Sequence, residues 1–175
     1  GVRRPVILIP IHKTFADHFF IASALLLDFL ILPMSTMAAD WIYRVKWWKG
    51  GFLLLWLVLI LGAFREAKGF GLRVALRTIR DGHSVAIYPE GVAYREPGIS
   101  DIQKGAVWLA RKTGAPLLPV AFRGLEHSSV KEFFFGRRTV TVVFGSPFRL
   151  GPNEDTDSAL QKIKNKLEEL YNENA

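Results

Sequence analysis

Two kinds of segment alternate along the 175-residue chain. Unbroken apolar runs occupy residues 5–10, 84–88 and 117–122, the pattern of strands covered on both faces of a sheet. A fourth strand is predicted over 139–144, where "TVTVVF" alternates at first and suits a place nearer an edge. Elsewhere the apolar positions follow the helical period. Leu72, Ala75, Leu76 and Ile79 form a stripe over 71–81, ended by Asp81 and Gly82. Ile102, Ala106, Leu109 and Ala110 form another over 102–113, before Gly114. Over 156–171 the stripe is Leu160, Ile163, Leu167 and Leu170, with acidic residues and Ser158 near its start. Helices alternating with buried strands predict an α/β fold, with a mostly parallel central sheet flanked by helices. There is no internal repeat, low-complexity tract or linker, and "GPNEDTD" at 151–157 reads as a polar turn. Residues 1–175 are therefore expected to form one domain.

Composition narrows the partners. Half of the residues are hydrophobic, and 23 Lys and Arg against 16 Asp and Glu leave a net charge of +7. Such an excess suits an anionic partner: nucleic acid, a phospholipid surface or a phosphate-bearing substrate. Nucleic acid is the poorest fit, because the aromatic residues lie in apolar runs and match no RNA-binding motif. The absence of cysteine excludes disulfides, a thiolate nucleophile and a cysteine metal site.

Two apolar stretches bear on membranes. Residues 19–34 are interrupted by Asp28 and Pro33, and residues 52–64 fall well short of the roughly twenty that a spanning helix needs. Neither is expected to cross a bilayer. Between them "WIYRVKWWKGGF", residues 41–52, interleaves Trp and Tyr with Lys and Arg. That mixture suits either the headgroup region of an anionic membrane or an aromatic-rich edge of the core. Gly1 leads into the first strand with no signal-peptide pattern, which leaves room for a membrane anchor ahead of it.

Ligands of parallel sheets collect at the carboxyl ends of strands, and the ionisable residues here cluster at those ends. His12 follows the first strand, with Asp17 five residues on and His18 beside it. If His12 lies in the loop and Asp17 in the first turn of the next helix, the two meet as a base and its orienting acid. From spacing alone, an incidental loop histidine and a helix-capping aspartate are the simpler and preferred account. His12, Asp17 and His18 have no recognised metal-ligand spacing. "YPEGVAYREPG", residues 88–98, places Glu90 and Gly91 just past another strand, and the "FRG" of 122–124 lies near the end of a third. His83 reads as a turn residue. His127 with Ser128 and Ser129 lacks the G-x-S-x-G elbow of a serine hydrolase.

Four blocks in order resemble the glycerolipid acyltransferases, the lysophosphatidate (1-acylglycerol-3-phosphate) acyltransferase family. "HKTFAD" resembles its HX4D motif. "GAFREAK", with Gly62 and Phe64, is similar to its second block, and Lys68 stands at the place of an Arg. "YPEGVAY" resembles its FPEGTRS block and "APLLPVA" its fourth, a V-P-I-V-P-like strand. The stretch 103–116 is also similar to the family, so the likeness covers roughly residues 6–122. It decides the open question at His12.

The resemblance implies acyl transfer from an acyl thioester to a hydroxyl, with His12 as general base, Asp17 orienting it and no covalent acyl-enzyme. Acyl-CoA or acyl carrier protein is then a co-substrate, and no metal or redox cofactor is implied. Donors to the developing oxyanion would be backbone N–H groups at the following helix start or near Gly91. Glu90 would accept the acceptor's hydroxyls, and Lys68 would pair with phosphate. Val92 and Ala93 replace the Thr and Arg after the family's Glu-Gly, and Ile11 replaces the Asn that often precedes its His. Arg95 either takes over the missing Arg's role or faces solvent. A lysophospholipid or glycerol phosphate is the expected acceptor, and a non-phosphate glycolipid or aminolipid is the competing one. A catalytically silent membrane lipid-binding module is the alternative from another class. The expected location is peripheral or monotopic, on the cytoplasmic face of an anionic membrane. Oligomeric state is not legible.

Overall fold

The computed structural model describes residues 5–11, 21, 34–39, 63–66, 70–91, 98–124, 140–151 and 153–173. Six strands form one sheet: β1 (Ile7–Pro10), β2 (Met34–Ala39), β3 (Ala63–Glu66), β4 (Ser84–Ala86), β5 (Leu117–Arg123) and β6 (Thr141–Phe144). Their order is β3-β2-β4-β1-β5-β6, parallel throughout except for the antiparallel β5–β6 pair. Three helices are described: α1 (Phe70–Arg80), α2 (Lys104–Thr113) and α3 (Thr156–Asn172). This is the expected mostly parallel α/β architecture. β6 lies at the edge, as its alternation suggested.

The continuous apolar runs are explained by burial on both sides. On one face Ile7, Ile9 and Ile11 of the β1 segment join Val85, Ile87, Leu117 and Ala121. Ala75 and Ile79 of α1, Val107 and Leu109 of α2, and Ile163 and Leu167 of α3 pack onto that face. On the other face Val6, Leu8, Ala86, Tyr88, Val120 and Phe122 pack with Ile21, a helical residue. A strand between two apolar layers has no polar face, so it cannot alternate.

Local chemistry ends the helices where the pattern said they would. After α1, the Gly82 N–H donates to the Ile79 carbonyl and the His83 N–H to the Thr78 carbonyl, both at 3.0 Å. With Gly82 at φ 88°, this is a Schellman stop, and it makes His83 the exposed turn residue that the sequence predicted. Pro119 sits inside β5, where a missing donor is normally costly. Its carbonyl accepts the Gly145 N–H at 2.9 Å, just beyond the end of β6, so its donorless nitrogen faces that side, where the ladder has stopped.

β2 and β3 are not predicted by the pattern. "MSTMAA" and "AFRE" contain few of the β-branched and aromatic residues that favour strands. They pair because β4 supplies a ladder for β2, and β2 supplies one for β3.

Candidate active site

β1 and β4 are neighbours, with Ile7 level with Val85 and Leu8 with Ala86. From the carboxyl end of β1 the chain next appears at Ile21, on one face of the sheet. From β4 it continues into α2, on the other face. Adjacent parallel strands whose connections depart to opposite faces leave a crevice between them, the usual ligand position in an open α/β sheet. At its mouth lie Ile11, which follows β1, and the segment that begins at Tyr88 after β4.

The second segment is tied at several points. The Gly91 N–H donates to the Tyr88 carbonyl at 3.2 Å, closing a turn through Pro89 and Glu90. Gly91 has φ 74°, the left-handed region that favours glycine, and a Cβ there would lie 3.3 Å from the Cγ of Gln103. The Gln103 N–H donates to the Pro89 carbonyl at 2.7 Å, which brings the start of α2 against the turn.

Glu90 is only 2% exposed, and it is the one buried carboxylate among the described residues. Its Oε2 accepts the Ser100 N–H at 3.0 Å and the Ser100 hydroxyl at 2.9 Å. Removing a carboxylate from water is costly unless donors replace the lost hydration, and Ser100 supplies two. The bonds also join the two ends of the segment that contains Arg95. The other buried polar side chain is structural: Ser84 Oγ accepts the Val6 N–H at 3.1 Å between β4 and β1.

Of the sequence-predicted site residues, Glu90 and Gly91 lie together in the turn after β4. The Gly91 N–H is used inside that turn. His12, Asp17, Lys68 and Arg95 lie outside the described residues, as do His18, His127 and the aromatic–basic residues 41–52. Their flanks are placed. Ile11 is buried and its N–H donates to the Val120 carbonyl at 3.0 Å, which fixes the chain one residue before His12. β3 ends at Glu66, two residues before Lys68. Among the described residues no three His, Asp or Glu side chains are grouped so as to hold a metal ion. The residue that sequence reasoning missed is Ser100. No motif marks it, and its only sequence signal is a hydroxyl in the Gly-Ile-Ser-Asp stretch before α2.

The chain belongs to a known class of transferase. Residues 2–123 match the family model described as Acyltransferase, and the chain belongs to that family. The match agrees with the span of roughly 6–122 read from the four blocks.

Among named relatives, the 1-acyl-sn-glycerol-3-phosphate acyltransferase of Bacillus subtilis is 30% identical over 159 residues, covering 80% of this chain and 74% of that protein. The protein of the same name from Borreliella burgdorferi is 33% identical over 61 residues, covering 35% of this chain and only 24% of that relative. The crystal structure of the 1-acyl-sn-glycerophosphate (LPA) acyltransferase PlsC from Thermotoga maritima superposes with a TM-score of 0.71 at 20% identity, covering 99% of this chain and 67% of that one. That likeness is one of fold.

Proposed function

We propose that the protein is an O-acyltransferase. It moves a fatty acyl group from an acyl thioester, on coenzyme A or acyl carrier protein, to a hydroxyl of a lysophospholipid or glycerol-phosphate-like acceptor. The observation that carries this reading is family membership combined with a buried, doubly bonded Glu90 at the crevice between β1 and β4.

His12 then takes the proton of the acceptor hydroxyl while Asp17 holds its other ring nitrogen. The hydroxyl oxygen bonds to the thioester carbonyl carbon. Collapse of the tetrahedral intermediate breaks the C–S bond, and the imidazolium returns its proton to the leaving thiolate. Donors to the oxyanion are backbone N–H groups following His12 or near Gly91, whose own N–H closes its turn. Glu90 holds the segment bearing Arg95, and Lys68 meets the acceptor's phosphate. The protein works as a peripheral or monotopic enzyme on the cytoplasmic face of an anionic membrane. Residues 41–52 lie among its headgroups.

A second acceptor class is favoured by specific residues. Lys68 lacks the planar fork of an Arg, and Val92 and Ala93 remove the hydroxyl and guanidinium that follow Glu-Gly in the resembling block. These changes suit a glycolipid or aminolipid acceptor. A silent lipid-binding module has no use for the His12–Asp17 pair. Thiol release from acyl-CoA, and acyl transfer from acyl carrier protein, measured over a panel of phosphorylated and unphosphorylated lysolipids, tests all three. Turnover of lysophosphatidate is the expected result. No transfer with any acceptor and either donor sinks the enzyme reading.

A further inference from the structure

Charge is shared unevenly among the helices. α1 carries Arg73, Arg77 and Arg80 and no acidic residue. α2 carries Lys104, Arg111 and Lys112 and likewise no acidic residue. In α3, Lys162, Lys164 and Lys166 are balanced by Asp157, Glu168 and Glu169. Six positive charges, against a whole-chain net of +7, therefore lie on two helices.

Those helices form one layer. Ala75 and Ile79 of α1 and Val107 and Leu109 of α2 pack into the same core on the same face of the sheet. Gly105 lets them approach: a Cβ there would lie 3.4 Å from Leu72 Cδ2. Their polar sides thus point away from the sheet together, and all six cations are exposed. Arg111 is held by Thr156 Oγ1 at 3.0 Å, and Arg77 lies 3.9 Å from Asp81 with its side chain 87% exposed. Among the described residues Arg73, Arg80, Lys104 and Lys112 make no ion pair. In the middle of the layer stands Trp108, 37% exposed, one helical turn from Lys104 on one side and Lys112 on the other.

We propose that the outer face of the α1–α2 layer docks on an anionic lipid surface, with Trp108 among the headgroups and the Arg and Lys side chains against lipid phosphates. The cations are spread along about 10 Å of α1 and across to α2, which matches a plane of phosphates rather than one small anion. An indole flanked by long basic side chains suits the bilayer interface, where the ring is half buried and the charges stay wet. The Gln103–Pro89 bond places the start of α2 at the Glu90 turn, so a surface along this layer reaches the rim of the crevice. The inference rests on charge and exposure, independently of the reaction, and concerns residues other than 41–52.

The test is partition of the whole chain between buffer and vesicles of phosphatidylcholine with or without phosphatidylglycerol. The triple variant Arg73→Gln/Arg77→Gln/Lys112→Gln keeps helix propensity and removes three charges. At about fivefold per cation, its affinity for anionic vesicles should fall on the order of 100-fold at low salt, with its thermal melt unchanged. Trp108→Ala should lose severalfold in a way that persists at high salt. Lys164→Gln/Lys166→Gln on α3 should bind like the wild type. The proposal is overturned if the wild type ignores anionic vesicles, or if the triple variant binds within twofold of it. It is also overturned if only Trp47→Ala/Trp48→Ala loses binding, or if the layer captures an acidic acyl carrier protein and no vesicle.

Discussion

Ser100 gives both of its donors to one oxygen of Glu90, the backbone N–H at 3.0 Å and the hydroxyl at 2.9 Å, across ten residues of sequence. The bond ties the family's Glu-Gly turn to the start of α2. Ser100→Ala deletes one donor to a buried carboxylate, a loss of about 1.5–3 kcal/mol in denaturant unfolding. It should also raise the acceptor KM and leave the acyl-donor KM near wild type. Ser100→Thr should retain both values. Trypsin reports on the segment without any assay of activity: cleavage after Arg95 should be faster in Ser100→Ala than in wild type. Equal cleavage rates and an unshifted KM would show that the contact does not organise the site.

His12→Ala should lower kcat by about 10²–10⁴ and leave the melting curve intact, the outcome expected of a base that the sequence puts just past the first strand rather than within it. Asp17→Asn should keep the size of the side chain and still lose most of the rate. Near-normal turnover by a folded His12→Ala protein would refute the base assignment.

Lys68→Ala should raise the KM of a phosphorylated acceptor while the donor KM stays put. Lys68→Arg should be tolerated, and should improve use of lysophosphatidate by supplying the planar fork. Arg95→Ala shares the defect only if Arg95 has replaced the guanidinium missing at Ala93. Unchanged turnover of a phosphorylated acceptor by Lys68→Ala would move the glycolipid or aminolipid reading ahead.

The start of α3 carries a pH-dependent cap. Asp155 accepts the Asp157 N–H at 3.0 Å, and this bond, followed by those from the Thr156 and Ser158 backbones, holds its carboxyl below the ordinary 3.8. A carboxyl lowered in the folded state adds stability above its unfolded pKa and loses it as the pH falls through the folded one. Asp155→Ala should therefore lower the melting temperature at neutral pH, with the gap from wild type closing as the pH drops below 3.8. A gap that is constant with pH would mean that the cap acts without its charge.

The strands flanking the site and the three helices were legible in the chain because each carries its own period. Val6 to Ile9, 84–88 and 117–122 are apolar without interruption since two layers cover them, and the stripes in α1, α2 and α3 match the residues that the core buries. The Glu-Gly turn was legible for a related reason: an ionisable residue directly after a buried strand has few structural uses.

What only the tertiary structure decided is what one part of the chain lends to another. β2 and β3 have weak strand propensity of their own and exist as strands because β4, met later in sequence, lies between β2 and β1 and completes the ladder. The use of the Gly91 N–H inside its own turn depends on a φ of 74° that composition permits and does not impose. The partnership of Ser100 with Glu90, and the gathering of six cations onto one helical layer, arise from packing across the sheet. Periodicity reports which side of an element is apolar. Which element it then faces is settled by the burial of all the faces at once.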